Sequence, residues 1–479
     1  MANTAGRRQR LLFLTGRLAE KSLARVLSDI TPRAFDYEVR TLGIAVAALM
    51  TSDFIKRRLD AVTGFDRVML PGRCRGDLAD LAAHFGVPFE RGPEELKDLP
   101  QHFGARGRVR SLDRHDLLIF AEIVDAPQCS IEDVLVRAAR YRADGADVID
   151  VGCLPDTPFP HLADTVRALK AAGYAVSVDS LQEAELIAGA RAGADYLFSL
   201  NEDTLWIADE TPVTPILIGR DPRDLDSLER AIADCAARGR PYYADPILDP
   251  IHHGFTDSVL RYHELRRRRP DAPIMMGIGN LTELTHADTL GINTLLLGIA
   301  SELGVSAVLT TEVSGHCRSV VRELAHARRV MYAAREDGMP PRHYDEGLMA
   351  LHERKPFPYS AAEIAEFAQD VKDPNFRIQN SPAGIHIYNR DGLRNGTDPY
   401  ELFPLLGVDE DAPHAFYLGL ELARAQVAWQ LGKRYAQDEE LRWGCVYQPP
   451  AGDLRDFAAE KSTLVARKAR RKRKDDGAA

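Results

Sequence analysis

Polar side chains, most of them oxygen-bearing acceptors, recur at the ends of short apolar runs between residues 122 and 312. They are Glu122 and Asp125, Asp150 and Asp156, Asp179 and Ser180, Ser199 and Asn201, Arg220 and Asp221, Asp245 and Asp249, Asn280, and Thr310, Thr311 and Glu312. Collected at one rim, such acceptors suit a heteroaromatic ring with several N–H donors, because a donor buried without an acceptor costs about 1–3 kcal/mol. A purely structural protein has no need of so many. The stretch PYYADPILDP (241–250) sharpens the point. A carboxylate is costly in a sheet interior and proline cannot donate to a ladder, so Asp245 must stand where its strand stops. Asp249 falls in the loop that follows and reads as a loop-forming or helix-capping residue.

Those ends need strands to define them. Eight β-rich runs follow one another: LLIFAEIV (117–124), DVIDVG (147–152), YAVSVD (174–179), DYLFSL (195–200), PVTPILI (212–218), YYAD (242–245), APIMMGIG (272–279) and SAVLTTEV (306–313). Between them lie helical periodicities such as IEDVLVRAARYRADG (131–145) and LQEAELIAGARAGA (181–194), with glycines at helix ends. Alternating strands and helices require parallel pairing with right-handed crossovers, and eight units match a closed (β/α)8 barrel. The alternative is an open doubly wound sheet, but no Gly-x-Gly-x-x-Gly turn follows the first strand. In such a barrel the carboxyl ends of the strands carry the chemistry.

The flanks read differently. Residues 1–112 show their own α/β alternation and are expected to form a Rossmann-like domain, with the barrel over 113–335, an α+β module over 336–465 and a basic, disordered tail over 466–479. The loop PGRCRGDL opens a helix, so its amides with Arg73 and Arg75 are either an anion site or a glycine-rich turn with solvated arginines. The segment HAFYLGLELARAQVAWQLGKRYAQDEEL (414–441) reads as one long amphipathic helix packing on the barrel or a second subunit. A formal net charge of −10 argues against wholesale nucleic-acid binding despite the basic tail. Cys74, Cys129, Cys153, Cys235, Cys317 and Cys445 form no C-x-x-C pair, so neither a disulfide framework nor a protein-held metal is expected. No run approaches membrane-spanning length, and the apolar run near the amino terminus is too short for a signal peptide, so a cytoplasmic protein without membrane contact is expected.

Several of these phrases carry a resemblance. GADVIDVG (145–152), SVDS (177–180) with GARAGADYLFSLN after it, and ADPILDPIHHGF (244–255) resemble the pterin-binding barrel shared by dihydropteroate synthases and methyltetrahydrofolate-dependent corrinoid methyltransferases. With MMGIGNLTELTHADTLGINTLLLGIASELG, VLTTEV and HAFYLGLELARAQVAWQLGKRYAQD included, the whole chain resembles the three-part dihydropteroate synthase-like proteins associated with tetrahydromethanopterin in methanogens and methylotrophic bacteria. The resemblance implies that Asp179 holds the amino-pyrimidine side of a pterin and that Asp245 is a second ring ligand. The family's strand-four asparagine falls on Phe198, with Ser199 and Asn201 beside it, and its strand-one asparagine on Val124 or Asp125. Asn280 and Leu281 stand where the strand-seven lysine is expected, and Leu309 and Thr311 replace the strand-eight Arg-x-His pair.

The implied ring ligands are therefore Asp179, Asp245, Ser199, Asn201, Asp125 and Asn280. Thr310, Thr311, His316 and Arg318 are candidates for phosphate, and the tandem His252 and His253 read either as substitutes for the missing cations or as plain loop residues. The implied reaction joins a 6-hydroxymethyl-dihydropterin pyrophosphate to an arylamine, with Mg2+ screening the leaving group; the arylamine could be a ribofuranosylaminobenzene phosphate. Two alternatives stand beside it: a tetrahydropterin-dependent one-carbon transfer and a non-catalytic pterin-binding subunit. Barrels of this resemblance are usually homodimers.

Overall fold

The computed structural model describes residues 8–447 apart from 32, 75, 94–95 and 106–110; Arg75 and the basic tail lie outside the described residues. The chain divides into two compact units, 1–116 with 328–344, and 117–327 with 345–479.

The first unit holds β1 (Gln9–Thr15), α1 (Glu20–Asp29), β2 (Phe35–Thr41), α2 (Ser52–Arg58), β3 (Arg67–Leu70), α3 (Leu78–Phe85), β4 (Phe89–Arg91) and α4 (Leu99–His102). Its four strands are parallel in the order β2-β1-β3-β4. The run LLFL in β1 has no polar alternation because both faces are covered. Leu12 and Leu14 pack with Val68 and Leu70 in one core, and Leu11 and Phe13 with Met69 in another.

The second unit is built on β5 (Leu118–Ile123), α5 (Ile131–Asp144), β6 (Val148–Gly152), α6 (Leu162–Ala171), β7 (Ala175–Asp179), α7 (Glu183–Ala192), β8 (Tyr196–Leu200), β9 (Thr214–Leu217), α8 (Leu225–Ala237), β10 (Tyr243–Ala244), α9 (Phe255–Arg268), β11 (Met275–Gly277), α10 (Gly279–Thr282), α11 (Thr289–Leu303), β12 (Ala307–Thr311) and α12 (Val320–Asp337), whose last residues belong to the first unit. Each expected strand is present. All pair in parallel in the order β10-β9-β8-β7-β6-β5-β12-β11, and a bridge from Ala244 to Ile274 closes the ring. This is the (β/α)8 barrel expected from the eight runs, except that a short 3₁₀ turn, Leu205–Asp209, takes the place of the helix after β8. Gly145 and Gly193 end α5 and α7 in the left-handed conformation, at φ 110° and 103°.

Beyond the barrel come α13 (Ala361–Asp370), a three-stranded antiparallel sheet of β13 (Arg377–Ser381), β14 (Gly384–Asn389) and β15 (Gly392–Gly396), then α14 (Pro399–Leu402) and α15 (Ala412–Leu431). The long helix differs from the expectation in two ways. It stops at Leu431, where Gly432 adopts φ 61°. Its Leu418, Leu422, Ala425 and Ala428 pack on Ile378, Ile385 and Ile387 of its own sheet, which supplies the apolar surface that the barrel or a second subunit was expected to give.

Candidate functional site

Strand alternation decides which side chains enter the barrel. Phe120, Val148, Phe198, Ile216, Met275 and Ala307 form an interior cluster with Tyr196, Tyr243 and Leu309 packed against it. Phe120 meets Phe198 edge-on with ring centroids 5.7 Å apart, and Tyr196 at 5.0 Å. These rings plug the barrel. Two residues further along the same strands, the inward positions are Glu122, Asp150 and, one neighbour on, Ser177 and Asp179. The register sets Glu122 beside Asp150, Asp150 beside Ser177, and Gly152 beside Asp179. The apolar plug thus carries a layer of acids on its carboxyl-end side.

Asp245 closes β10 at the same level and is 8% exposed. Its Oδ1 accepts from the Tyr262 hydroxyl at 2.7 Å and from the Ile247 amide at 2.7 Å. Ile247 reaches that position only at φ 61°, a conformation β-branched residues avoid, so the turn spends backbone strain to orient the carboxylate. Asp245 Oδ2 takes no hydrogen bond from the described residues. It is left uncovered by Gly277, where a Cβ would lie 3.7 Å away. Burial pushes the Asp245 carboxyl up to about 6, against the opposing pull of Tyr262.

Asp179 ends β7, and its Oδ1 accepts from the Ser199 hydroxyl at 3.2 Å. Regular alternation would turn Ser199 away from the barrel, since Phe198 points inward. The pairing of β8 with β9 shifts register between Leu197 and Leu200, and Ser199 sits at φ 63°, so a bulge re-aims its hydroxyl at Asp179. Burial raises the Asp179 carboxyl to about 6, with the Ser199 hydrogen bond working the other way.

Glu122, Asp150 and Asp179 each bring one oxygen within 4.8 Å of the others. Burial, then the charge of Asp179, raises Glu122 to about 8. Asp150 is fully buried and its carboxyl lies well above the usual range, first through burial and then through Glu122 and Asp179. Neither of its oxygens has a hydrogen-bond partner. Ser177 Oγ lies close enough to soften that rise but makes no hydrogen bond of acceptable geometry. Gly152 makes the cluster possible, because a Cβ there would lie 2.6 Å from Glu122 Oε1. The resemblance had supplied only Asp179 of these three.

The remaining expected residues are spread more widely. Asp125 is paired bidentately with Arg137, which holds its carboxyl below the usual value. Asn201 Oδ1 accepts from the Asp203 amide at 2.8 Å, which makes it a turn former. Asn280 donates to the Leu248 carbonyl at 3.2 Å and so ties α10 to the loop after β10. Thr310 is fully buried and alternates with the inward Leu309, so it faces the helices and cannot meet a phosphate in the barrel mouth. Thr311 has the inward parity and donates to the Glu122 carbonyl at 3.4 Å. His316 Nε2 lies 3.1 Å from the Thr282 carbonyl, while Arg318, His252 and His253 are exposed. Asp249 is ion-paired with Arg261 at 2.8 Å, which ties the loop after β10 to α9.

Glu283 was not anticipated. Its two carboxylate oxygens accept from the amides of Val313 and Ser314 at 2.9 and 3.0 Å, just past β12. An anion recruited to those amides would have to displace it. A similar occupant stands in the first unit. Asp77 accepts from the Ala79 and Asp80 amides and caps α3, so those two first-turn amides of α3 are taken by the protein's own carboxylate. Arg73 lines a cavity of about 360 Å³ at the carboxyl ends of β1 and β3.

A model of a family of unknown function (DUF6513) matches residues 9–94. Uncharacterized protein MJ0107 of Methanocaldococcus jannaschii is 25% identical over 527 residues, covering 90% of this chain and 99% of that protein. Among solved structures, dihydropteroate synthase of Yersinia pestis with a pterine-sulfa conjugate is 18% identical, covering 47% of this chain and 96% of that one, with a TM-score of 0.37. The Coxiella burnetii enzyme in complex with pteroic acid is 16% identical, covering 46% and 94%, with a TM-score of 0.38. The Thermus thermophilus enzyme with 6HMPPP is 20% identical, covering 47% and 95%, with a TM-score of 0.36. Among the described residues no helix is long and apolar enough to cross a membrane.

Proposed function

We propose that the barrel mouth binds a reduced pterin through Asp179 and Asp245, and that the protein is a dihydropteroate synthase-like transferase. The observation that carries this reading is the pair of raised, inward-facing carboxyls, each with one oxygen held by a protein hydroxyl and the other open. A buried carboxylate short of donors is matched by a ring edge rich in N–H groups, and the charge-assisted bonds are worth more than neutral ones. Asp179 would take the amino-pyrimidine side and Asp245 the opposite side of the ring. An arylamine nitrogen then attacks the exocyclic methylene carbon as its bond to the pyrophosphate oxygen breaks, and the amine proton leaves to solvent. Mg2+ carried with the substrate would screen the departing charge.

A second reading has an observation of its own. Glu283 occupies the amides past β12, and Arg137 and Arg261 are committed to Asp125 and Asp249, so these anion-binding groups are already taken by the protein's own carboxylates. A tetrahydropterin-dependent one-carbon transfer needs no such anion site. Pyrophosphate release, measured with 6-hydroxymethyl-dihydropterin pyrophosphate and either aminobenzoate or a ribofuranosylaminobenzene phosphate, separates the two. Release with either amine supports the transferase. Tight binding of a methyl-tetrahydropterin with no release supports the alternative.

A further inference from the structure

We propose that Glu122, Asp150 and Asp179, with the Ser177 hydroxyl, form a binding site for one hard divalent cation inside the barrel mouth. The three carboxylates converge to within 4.8 Å, the span of oxygens placed around such an ion. Convergence of acids alone would be weak ground. Asp150 adds to it, because both its oxygens are fully buried on the inward face and lack any partner. Ser177 adds a second, uncharged observation: its hydroxyl is also fully buried, stands next to Asp150 in the strand register and, though close to that carboxyl, makes no hydrogen bond of acceptable geometry. Native interiors rarely leave two adjacent polar side chains unsatisfied. Glycine at position 152 admits Glu122 to the cluster, which a Cβ would prevent.

The donor set defines the ion. All four groups are oxygen donors without histidine or cysteine, which suits Mg2+, Mn2+ or Ca2+ and disfavours Zn2+ and Cu2+. Glu122 and Asp179 are only partly buried, so the ion enters from the mouth while Asp150 closes the site from beneath. This ion is distinct from Mg2+ carried on a pyrophosphate; it shares Asp179 with the proposed pterin contact, and because it is detected with no pterin present its failure is distinguishable from the failure of that reading.

The test uses the full-length chain, stripped with chelator and titrated with Mn2+, with free ion counted by electron paramagnetic resonance. One Mn2+ per chain is expected, displaced by Mg2+ or Ca2+. Glu122→Gln and Asp150→Asn should each weaken it at least about tenfold, the loss of one charged ligand, while Asp164→Asn on an exposed helix face should not. Each cluster variant removes a charge from the cluster, so both should melt at least as high as the chelator-treated wild type; if one fails to fold, the other carries the test. Mn2+ should also raise the melting temperature of the wild type and not of the folded variant. No retained ion in the wild type, or retention equal in the wild type and a folded variant, overturns the proposal; the second outcome means adventitious surface ions only.

Discussion

Replacing Asp245 by asparagine should stabilise the protein at neutral and alkaline pH while removing a ligand contact. Burial raises this carboxyl from 3.8 to about 6 even though Tyr262 and the Ile247 amide donate to it. At about 1.4 kcal/mol per pH unit, the ionised form is disfavoured in the folded chain by about 3 kcal/mol. The sign follows from proton uptake. Between pH 3.8 and about 6 the folded chain holds a proton that the unfolded chain has lost, so stability falls as pH rises through that window and the full cost is present above it. The groups facing the carboxyl are Tyr262 and Arg261 from α9 and Asp179 from β7; Arg261 opposes the rise and Asp179 adds to it. Asparagine keeps an oxygen that can accept from Tyr262 and Ile247, and it carries no charge. Urea midpoints of the barrel transition should give Asp245→Asn a gain of about 1–3 kcal/mol at pH 8 that shrinks towards zero near pH 4. A variant less stable than wild type at pH 8, or a gain that does not vary with pH, would refute this reasoning.

Gly277→Ala places a Cβ 3.7 Å from Asp245 Oδ2, an ordinary contact that should leave stability within about 1 kcal/mol but weaken pterin binding about tenfold by covering the open oxygen; a fluorescence titration checks it. Glu283→Ala frees the Val313 and Ser314 amides. It should cost about 2 kcal/mol of stability and raise affinity for inorganic pyrophosphate about tenfold, read by calorimetry. Asp125→Asn should leave pterin affinity within about twofold, because Arg137 already engages both oxygens of Asp125.

The barrel was legible because its information is local and repeated: eight β-rich runs, helical periods between them and glycine at helix ends. Asp245 was legible for a similar reason, since Asp-Pro after a strand can stand only at its end. Ser199 was named through the resemblance, but its orientation was hidden, because a bulge at φ 63° reverses the side of the sheet it faces and nothing in DYLFSLN announces the extra residue. Glu122 and Asp150 were half visible. Their parity with Phe120 and Val148 points them inward, but only the closed barrel shows that neighbouring strands bring their oxygens together with Asp179. The same parity, applied to Leu309, separates Thr310 from Thr311. That β13 and β14 cover one face of α15 was not legible, because an apolar helix face does not say what covers it.

The central claim is that Asp179 and Asp245 jointly hold a pterin ring, and its most direct test is fluorescence titration of a reduced pterin into wild type, Asp179→Asn and Asp245→Asn at pH 7.5. Loss of a charge-assisted contact worth about 2–3 kcal/mol should weaken binding about 30–150-fold in each folded variant. Binding that survives both substitutions unchanged, or a wild-type chain that retains no pterin, would contradict the account.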